Sequence, residues 1–361
     1  MMFAFGVFLA LPIAHSQRPA TKGSAAEPKT ALGWFQRAQD QMNLRMPGSL
    51  PFHMKVTFHA FPGDEVLGPK EKPQILTGDG VYEETWLAPH HWRREVTFGS
   101  YHAVEVESDK GRKMQATSDY EPSRVLLLLS TLLEPIPREL LSRESDAYRD
   151  RHWSVGQATV RGVNLVVATA RASPSEQFST YYRYFFLPQG LLVFERVYGL
   201  TISWQNDTAF AGKAVPRKIM VQAPGMKRGD PDRDLLIADV SIAPAGTTNP
   251  AYFDLPISRA EPGMTLRPLF KVDRPPQRLN DPFAELPLHH DAAIQFMGVL
   301  DRKGEIRELE VVNVMDADNL HEIVEDVRRF RYRPAEIDGS RCEMPYLQNL
   351  LFQFENHSDI P

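Results

Sequence analysis

The sequence predicts an α+β protein in which a large, curved, half-barrel-like antiparallel β-sheet with a helix in its mouth precedes a small β-β-α-β domain. Three observations indicate this class. Segments in which apolar and polar residues alternate recur between residues 53 and 242, and a period of two is typical of half-buried strands. Helical periodicity is sparse among these segments, which favours one large sheet. Seven prolines between residues 256 and 287 separate a compact last segment.

The composition is that of folded domains, and it excludes several classes of function. Of 361 residues, 42% are hydrophobic and 24% are charged, which fits ordinary globular domains. The formal net charge of -5 gives no general basic field, so no nucleic-acid partner is expected. Cys342 is the single cysteine, which excludes an internal disulfide framework and a cysteine-based zinc cluster.

The first residues predict export. Met1 to Ala14 form an apolar run of signal-peptide length, too short for the roughly 20 residues of a membrane span. Small residues follow at the expected cleavage spacing, so residues 1–16 are predicted to be a signal peptide. The mature chain is then expected to be periplasmic or secreted in a bacterium, with no integral membrane span. Because a positively charged start is missing, a buried N-terminal strand or helix is the alternative.

Residues 17–50 are predicted to be a leader that ends in a helix. From residue 31 to residue 44, apolar side chains recur at helical spacing on one face. The residues on this face are Leu32, Phe35, Ala38 and Met42.

Residues 51–255 are predicted to form the β-rich domain. In His53 to Ala60 every second residue is apolar, which indicates a half-buried strand. Further strand segments follow at 80–88, 92–98, 102–108, 163–171, 181–187, 191–198, 200–206, 215–222 and 235–242. The leucine-rich residues 122–141 are predicted to be the helix in the mouth of the sheet.

The large apolar residues of this domain allow two interpretations. A curved sheet that does not close needs something to fill its concave face, either a helix or a bound apolar ligand. The residues concerned are therefore either core or the lining of a lipid or acyl site: Phe58, Trp86, Trp92, Leu129 and Leu133. Arg93 either forms a cross-strand ion pair on the solvated face or meets a lipid headgroup or a partner carboxylate inside the cavity.

Residues 256–283 are predicted to be a proline-rich linker, and residues 284–356 a small domain. Two strands at 293–301 and 305–314 flank a turn and form a hairpin. A helix follows, with Leu320, Ile323, Val324 and Val327 at the spacing of one buried face, and a last strand runs from Tyr346 to Phe354.

Motifs that carry chemistry are missing from the sequence. It has no phosphate-binding loop, dinucleotide fingerprint or nucleophile elbow. The His321-Glu322 string has Glu325 where a zinc protease needs its second histidine. We therefore predict no catalytic residues, no metal, no cofactor and no enzymatic activity. A secreted hydrolase with a site assembled from scattered residues is an alternative.

The last domain resembles the C-terminal domain of TonB-family energy transducers. The likeness rests on GVLDRKGEIRELEVVNV, a helix, and then VRRFRYRPAEIDGSRCEMPYLQNLLFQFE. The family pattern is a strand-turn-strand with Asp-x-x-Gly, a helix ending in Arg-x-[Trp/Phe]-x-[Phe/Tyr]-x-Pro-Ala, and a terminal strand. The resemblance implies an envelope protein partner that adds a strand to the sheet edge. Partner contacts would then lie on the terminal strand, at Tyr346, Asn349, Leu351 and Gln353.

The middle domain resembles the periplasmic lipoprotein-carrier half-barrel of the LolA/LolB type. The residues that carry this are GDGVYEETWLAPHHWRREV, where a glycine-led strand runs into Pro-x-x-[aromatic]-Arg. The resemblance implies an open apolar cleft. The sequence thus predicts an exported, non-enzymatic binding protein of the bacterial cell envelope, with a lipid or apolar ligand and a protein partner. A TonB-type energy transducer component for outer-membrane transport is the second alternative.

Overall fold

The structure is a computed structural model that describes most of the chain from residue 28 to residue 352. The described residues are 28–62, 64–65, 77–118, 120–149, 151–171, 182–197, 200–225, 231–255, 265–267, 275–280, 292–315, 320–337 and 339–352. The predicted signal peptide and Gln353 lie outside them. Among these residues, no helix is long and apolar enough to cross a membrane.

Strands make up most of the described chain. Their bounds are β1 Phe52–Ala60, β2 Asp64–Glu65, β3 Gly78–Ala88, β4 His91–Phe98, β5 Tyr101–Ser108, β6 Gly111–Ala116, β7 His152–Val160, β8 Val163–Arg171, β9 Tyr182–Phe186, β10 Leu192–Val197, β11 Leu200–Gln205, β12 Thr208–Phe210, β13 Lys213–Val215, β14 Lys218–Ala223, β15 Arg233–Pro244, β16 Thr265–Arg267, β17 Gln277–Arg278, β18 Ala292–Leu300, β19 Ile306–Met315, β20 Tyr332–Arg333, β21 Ala335–Ile337, β22 Ser340–Cys342 and β23 Met344–Phe352. The α-helices are α1 Ala31–Met42, α2 Ser123–Leu133, α3 Asp146–Arg149 and α4 Leu320–Arg329. Two 3₁₀ turns span Arg138–Leu141 and Pro250–Phe253.

One antiparallel sheet of 13 strands dominates the fold, in the order β16-β6-β5-β4-β3-β1-β15-β14-β11-β10-β9-β8-β7. This large antiparallel sheet with few helices confirms the predicted class at that level. β1 lies in the middle of the sheet, with Val56 opposite both Tyr82 and Val240. Its alternating pattern buries one face of the strand, as predicted, at Phe52, Met54, Val56, Phe58 and Ala60.

Two helices cover one face of this sheet. α1 follows Thr30, whose Oγ1 accepts a hydrogen bond from the Gly33 amide at 3.3 Å and caps the helix. α2 ends at Leu133, and prolines follow at positions 135 and 137, where a helix cannot continue. The predicted helix over residues 122–141 is therefore shorter than expected, and its last part is the 3₁₀ turn. Buried residues of α1, α2 and the sheet form one core, and we call this side of the sheet the helix-covered face.

The opposite face of β4 and β5 is covered by the chain that follows β15. The 3₁₀ turn Pro250–Phe253 packs there, with the Phe253 ring 4.4 Å from that of His91 between centroids. Leu255 closes a small apolar cluster with Val104 and Val106. The described residues give this side of the sheet a thin cover, and the main core lies on the helix-covered face.

The predicted linker is structured at two points. Residues 265–267 form β16, which pairs with the edge strand β6. Residues 277–278 form β17, which pairs with β20, and the Asn280 side chain exchanges hydrogen bonds with the backbone after α4. The extended backbone of a proline-rich segment can use its free polar groups in this way to extend a sheet edge. Residues 265–267 and 277–278 of the predicted proline-rich linker are therefore parts of sheets.

In the last segment, β18, β19, α4 and β23 follow the predicted order, with three short strands, β20 to β22, between α4 and β23. Its sheet has the strand order β2-β19-β18-β23, so β23 lies at one edge and β2, from the first half of the chain, covers the other. One face of α4 packs on this sheet in a separate small core. The buried residues at its centre are Phe296, Val311, Ile323, Val324, Val327 and Phe330.

Candidate ligand-binding site

A narrow groove lies between α2 and strands β4 to β6 on the helix-covered face. Leu129 and Leu133 are the half-buried leucines of α2 that line one wall. The apolar part of the other wall is Val96, Ala103 and Met114. The groove measures about 30 Å³, which holds about two water molecules and no acyl chain. In this conformation α2 is closed over the sheet.

The three predicted aromatic residues belong to the core. The Phe58 ring packs on Phe98 at 5.2 Å between centroids and occupies the space that a side chain on Gly80 would need. Trp86 stacks on Phe52 with centroids 5.6 Å apart. Trp92 is also buried in the same core. Of the six predicted ligand-binding residues, only Leu129 and Leu133 line the groove.

Arg93 lies on the face opposite the groove. Its guanidinium donates to Glu95 Oε2 at 3.0 Å and lies 4.8 Å from the centre of the Tyr252 ring. The interpretation of Arg93 as a cavity arginine is therefore wrong. The period of two explains the error, because Arg93 and Trp92 are neighbours on a strand and must face opposite sides.

Arg94 is the arginine on the helix-covered face, and it is paired through the buried Glu84. The Arg94 Nε donates to Glu84 Oε1 at 3.1 Å, and Tyr82 donates to Oε2 at 3.0 Å. The Nε of Arg45 donates to both carboxylate oxygens, at 2.9 and 3.1 Å. Burial alone would raise the pKa of Glu84, but Arg45 and Arg94 outweigh it and lower the pKa to about 2. Glu84 is therefore a fixed anion.

This charge network also holds the end of α2. The Arg45 Nη1 donates to the Leu132 carbonyl at 3.2 Å, one residue before the helix ends. Arg94 approaches Glu105 at 3.9 Å, and Glu105 also accepts from the Nε of Arg112 at 2.5 Å. These arginines thus all have carboxylate partners within the protein. The polar groups of the groove therefore hold the C-terminal end of α2. Each of these arginines already pairs with a carboxylate of the protein and does not need an anionic ligand.

A second, larger groove adjoins the first at Tyr101, which lines both. It measures about 340 Å³, within the size range of small-molecule sites. Side-chain hydroxyls dominate its lining, and we call it the hydroxyl groove. Its lining residues are Ser100, Tyr101, Thr117, Ser118, Tyr120, Pro122, Ser123, Gly298, Val299 and Glu308.

Glu308 is the charged residue in the described lining of the hydroxyl groove. It has a left-handed backbone with φ of 53°, a conformation that costs energy in a non-glycine residue and is common at functional sites. The Tyr120 hydroxyl donates to its Oε1 at 2.9 Å. Burial raises the pKa of Glu308 above its ordinary value, and nearby Glu343 adds to this, although Tyr120 and Arg307 oppose it.

The predicted partner-binding strand is an edge strand. The backbone of Asn349 pairs with Gln295, and that of Leu351 pairs with Ala293, both on β18. The Tyr346 side chain is buried in the small core, with its ring 5.9 Å from that of Tyr332. Tyr346 therefore faces inward, which corrects its assignment as a partner contact. A docking strand would use the edge of β23 that lies away from β18.

Sequence reasoning missed Arg94, Tyr101, Tyr120 and Glu308. The position of Arg94 could have been predicted, because alternation along β4 places it on the same face as Trp92. Tyr120 and Glu308 meet across 188 residues, and no local pattern signals such a contact. The hydroxyl groove depends on tertiary packing and could not be found from spacing alone.

Comparisons with known proteins give only distant likenesses. No protein-family model and no curated protein sequence matches the chain. A LolA superfamily protein from Nitrosomonas europaea aligns with 63% of this chain and 98% of its own, at 13% identity and a TM-score of 0.28. An outer-membrane lipoprotein-sorting protein domain from Vibrio parahaemolyticus aligns with 62% and 95%, at 7% identity and a TM-score of 0.30. MucB in complex with periplasmic MucA aligns with 74% and 69%, at 11% identity and a TM-score of 0.22. The TM-scores are low, so these likenesses carry no argument about function.

Proposed function

We propose that this chain is an exported, non-enzymatic binding protein of the cell envelope that takes up an apolar chain between α2 and strands β4 to β6. The observation that carries the proposal is the groove beneath Leu129 and Leu133. Both leucines are only partly buried, and they lie over Val96, Ala103 and Met114. An apolar wall on each side of a narrow groove is what an acyl chain requires.

Binding requires α2 to move, because the closed groove is too small for a chain. Prolines at positions 122 and 135 bound the helix, so α2 can move as one unit once the Arg45 contact to its C-terminal end is broken. About 15 buried methylenes contribute on the order of 12 kcal/mol. Association and opening cost about 4 kcal/mol or more. At most about 8 kcal/mol therefore remains, which corresponds to a dissociation constant of about 1 μM or weaker.

The second part of the proposal is a protein partner docked at β23. Within the described residues, this strand, Met344–Phe352, lies at the edge of its sheet, and a sheet edge is where a partner strand can add. The β-β-α-β order supports the resemblance to the TonB C-terminal domain, which stays a proposal. Export rests on the apolar run at residues 1–14.

Titration of the full chain with a fluorescent fatty acid tests the apolar site. We expect saturable binding in the micromolar range, weakened by Leu129→Glu about tenfold or more because a bound chain would strip water from the carboxylate. Leu50→Glu is the matched control, since Leu50 is exposed and lies outside the groove. Circular dichroism checks that both variants stay folded.

Two outcomes contradict the proposal. One is an absence of binding at tens of micromolar fatty acid. The other is an equal loss of affinity in Leu129→Glu and Leu50→Glu, which would place the ligand outside the groove.

A further inference from the structure

We infer that the hydroxyl groove receives the headgroup of the bound amphiphile, and that it selects a headgroup carrying an ammonium group. This inference rests on the proposed function and deepens it by naming the class of ligand. It depends on the position, charge and hydrogen-bonding capacity of the groove.

The two grooves adjoin beside α2. Tyr101 lines both of them. The N-terminal end of α2 contributes Ser123 to the hydroxyl groove, and the later turns contribute Leu129 and Leu133 to the apolar groove. A ligand that lies along α2 with its tail under the leucines therefore places its head in the hydroxyl groove.

The charge of the hydroxyl groove favours a cation. Glu308 is its charged residue within the described lining, and its Oε1 accepts from Tyr120. No hydrogen bond reaches its Oε2 from any described part of the chain. The nearest cation, Arg307, is already shared with Glu343 and Asp301. An ammonium group supplies the hydrogen bond and the positive charge that Glu308 lacks.

The fold directs Glu308 into this groove. The pairing of β18 with β19 is irregular between Met297 and Val299. Gly298 lets β18 and β19 approach closely at this irregularity, because a side chain there would come within 2.8 Å of the Arg307 carbonyl. Glu308 follows with its left-handed backbone, and the sharp local turn of the strand points the carboxylate at Tyr120.

The hydroxyls add capacity for a polar head. Within the described residues, the side chains of Ser100 and Ser123 make no hydrogen bond, so both are open to a ligand in the groove that they line. By contrast, the Thr117 and Ser118 hydroxyls bond to nearby backbone carbonyls and shape the wall. An ammonium group on a hydroxylated or amide-bearing head fits these donors and acceptors.

A pair of amphiphiles with the same alkyl chain tests the inference. Dodecylammonium and dodecanoate, each below its micelle concentration, displace the fluorescent fatty acid from the full chain at neutral pH. We expect dodecylammonium to bind about tenfold more tightly, the size of one charge-assisted hydrogen bond. Glu308→Gln should abolish this preference, and Glu305→Gln, an exposed change on the same hairpin, should keep it.

The outcomes separate this inference from the proposed function. If both amphiphiles bind equally well to the unmodified protein, the headgroup inference is overturned and the apolar site stands. If neither binds, both fail. Because the first comparison uses the unmodified chain, the test holds even where Glu308→Gln does not fold. A preference for dodecylammonium that Glu308→Gln leaves unchanged would also overturn the assignment to this groove.

Discussion

Two glutamates buried on the helix-covered face behave in opposite ways because their partners differ. Glu84 meets two arginines and a tyrosine and stays ionised. Glu195 lies opposite Tyr184, whose ring packs on Phe35 of α1. It is 8% exposed, and its Oε2 has no hydrogen-bond partner among the described residues. Burial alone raises the pKa of Glu195 from 4.5 to about 8.

The raised pKa of Glu195 predicts a pH dependence of stability. The unfolded chain loses this proton near pH 4.5 and the folded chain near pH 8. The contribution of Glu195 to the free energy of unfolding is therefore full below about pH 4.5 and falls as the pH rises to about 8. Glu195→Gln keeps the side chain neutral. Above pH 8 its free energy of unfolding should therefore exceed that of the wild type by on the order of a few kcal/mol.

Urea denaturation at pH 5 and pH 8.5 measures this difference. Glu139→Gln, a change at an exposed glutamate, is the control and should follow the wild type at both values. Equal pH dependence in Glu195→Gln and the wild type would show that Glu195 is not the buried acid described here.

The environment of a single residue could be predicted only where alternation along a strand determines the face of the sheet on which its side chain lies. The pattern of β4 contains the information that Arg94, and not Arg93, shares a face with Trp92. The charge partners of Arg94 could not be predicted, because Arg45 and Glu84 reach it from other elements of the chain. The buried state of Glu195 was equally hidden, since a glutamate in a strand is normally taken as solvated.

At the scale of elements, local patterns placed most strands and helices within a few residues. The hairpin predicted at 293–301 and 305–314 is observed at Ala292–Leu300 and Ile306–Met315. The helix predicted around Val327 is α4. The strands that were not predicted are extended segments paired with a sheet edge, such as β16 and β17. Edge pairing depends on a distant strand and not on local sequence.

Val327→Asp tests the buried face of α4. Val327 is fully buried in the small core, so an unpaired carboxylate there costs about 3 kcal/mol or more. We expect the last unit to lose its dispersed amide NMR signals in the full chain. His321→Asp, at an exposed position of the same helix, should leave the spectrum unchanged. Retention of the folded spectrum in Val327→Asp would mean that the buried face of α4 is misassigned.

At the scale of the whole molecule, a buried ion pair joins α2 to the sheet of the last unit. Arg124, in the first turn of α2, pairs with Glu310 of β19, and the two are 0% and 1% exposed. The guanidinium also donates to the Phe61 carbonyl at 3.0 and 3.1 Å. β2 pairs with β19, and Met297 of β18 belongs to the main core. The small unit therefore holds the N-terminal end of α2, the helix proposed to open.

The contact between Arg124 and Glu310 could not be predicted. The domain boundary stays a prediction, made from proline content because prolines interrupt regular strands and helices. Nothing local links Arg124 with Glu310, which are 186 residues apart. A charged residue on an apolar helix is expected to face solvent, and only knowledge of its tertiary partner shows that it is buried.

Changes to the Arg124–Glu310 pair predict non-additive effects on stability. Arg124→Met or Glu310→Leu alone leaves one buried charge unpaired and should lower the free energy of unfolding by about 3–5 kcal/mol. The double variant removes both charges and should recover most of the loss, although the Phe61 carbonyl loses its donor. Urea denaturation gives the three values. Additive losses would show that the two charges do not depend on each other.

The most direct test of the central claim is to locate a bound acyl chain by photo-crosslinking. A fatty acid with a diazirine on its chain is photolysed with the full protein, and the labelled peptides are identified by mass spectrometry. We expect labels on peptides that contain Leu129, Leu133 or Met114, and their loss when unlabelled fatty acid competes. Labels confined to the last unit or to exposed loops, or labels that resist competition, would contradict it.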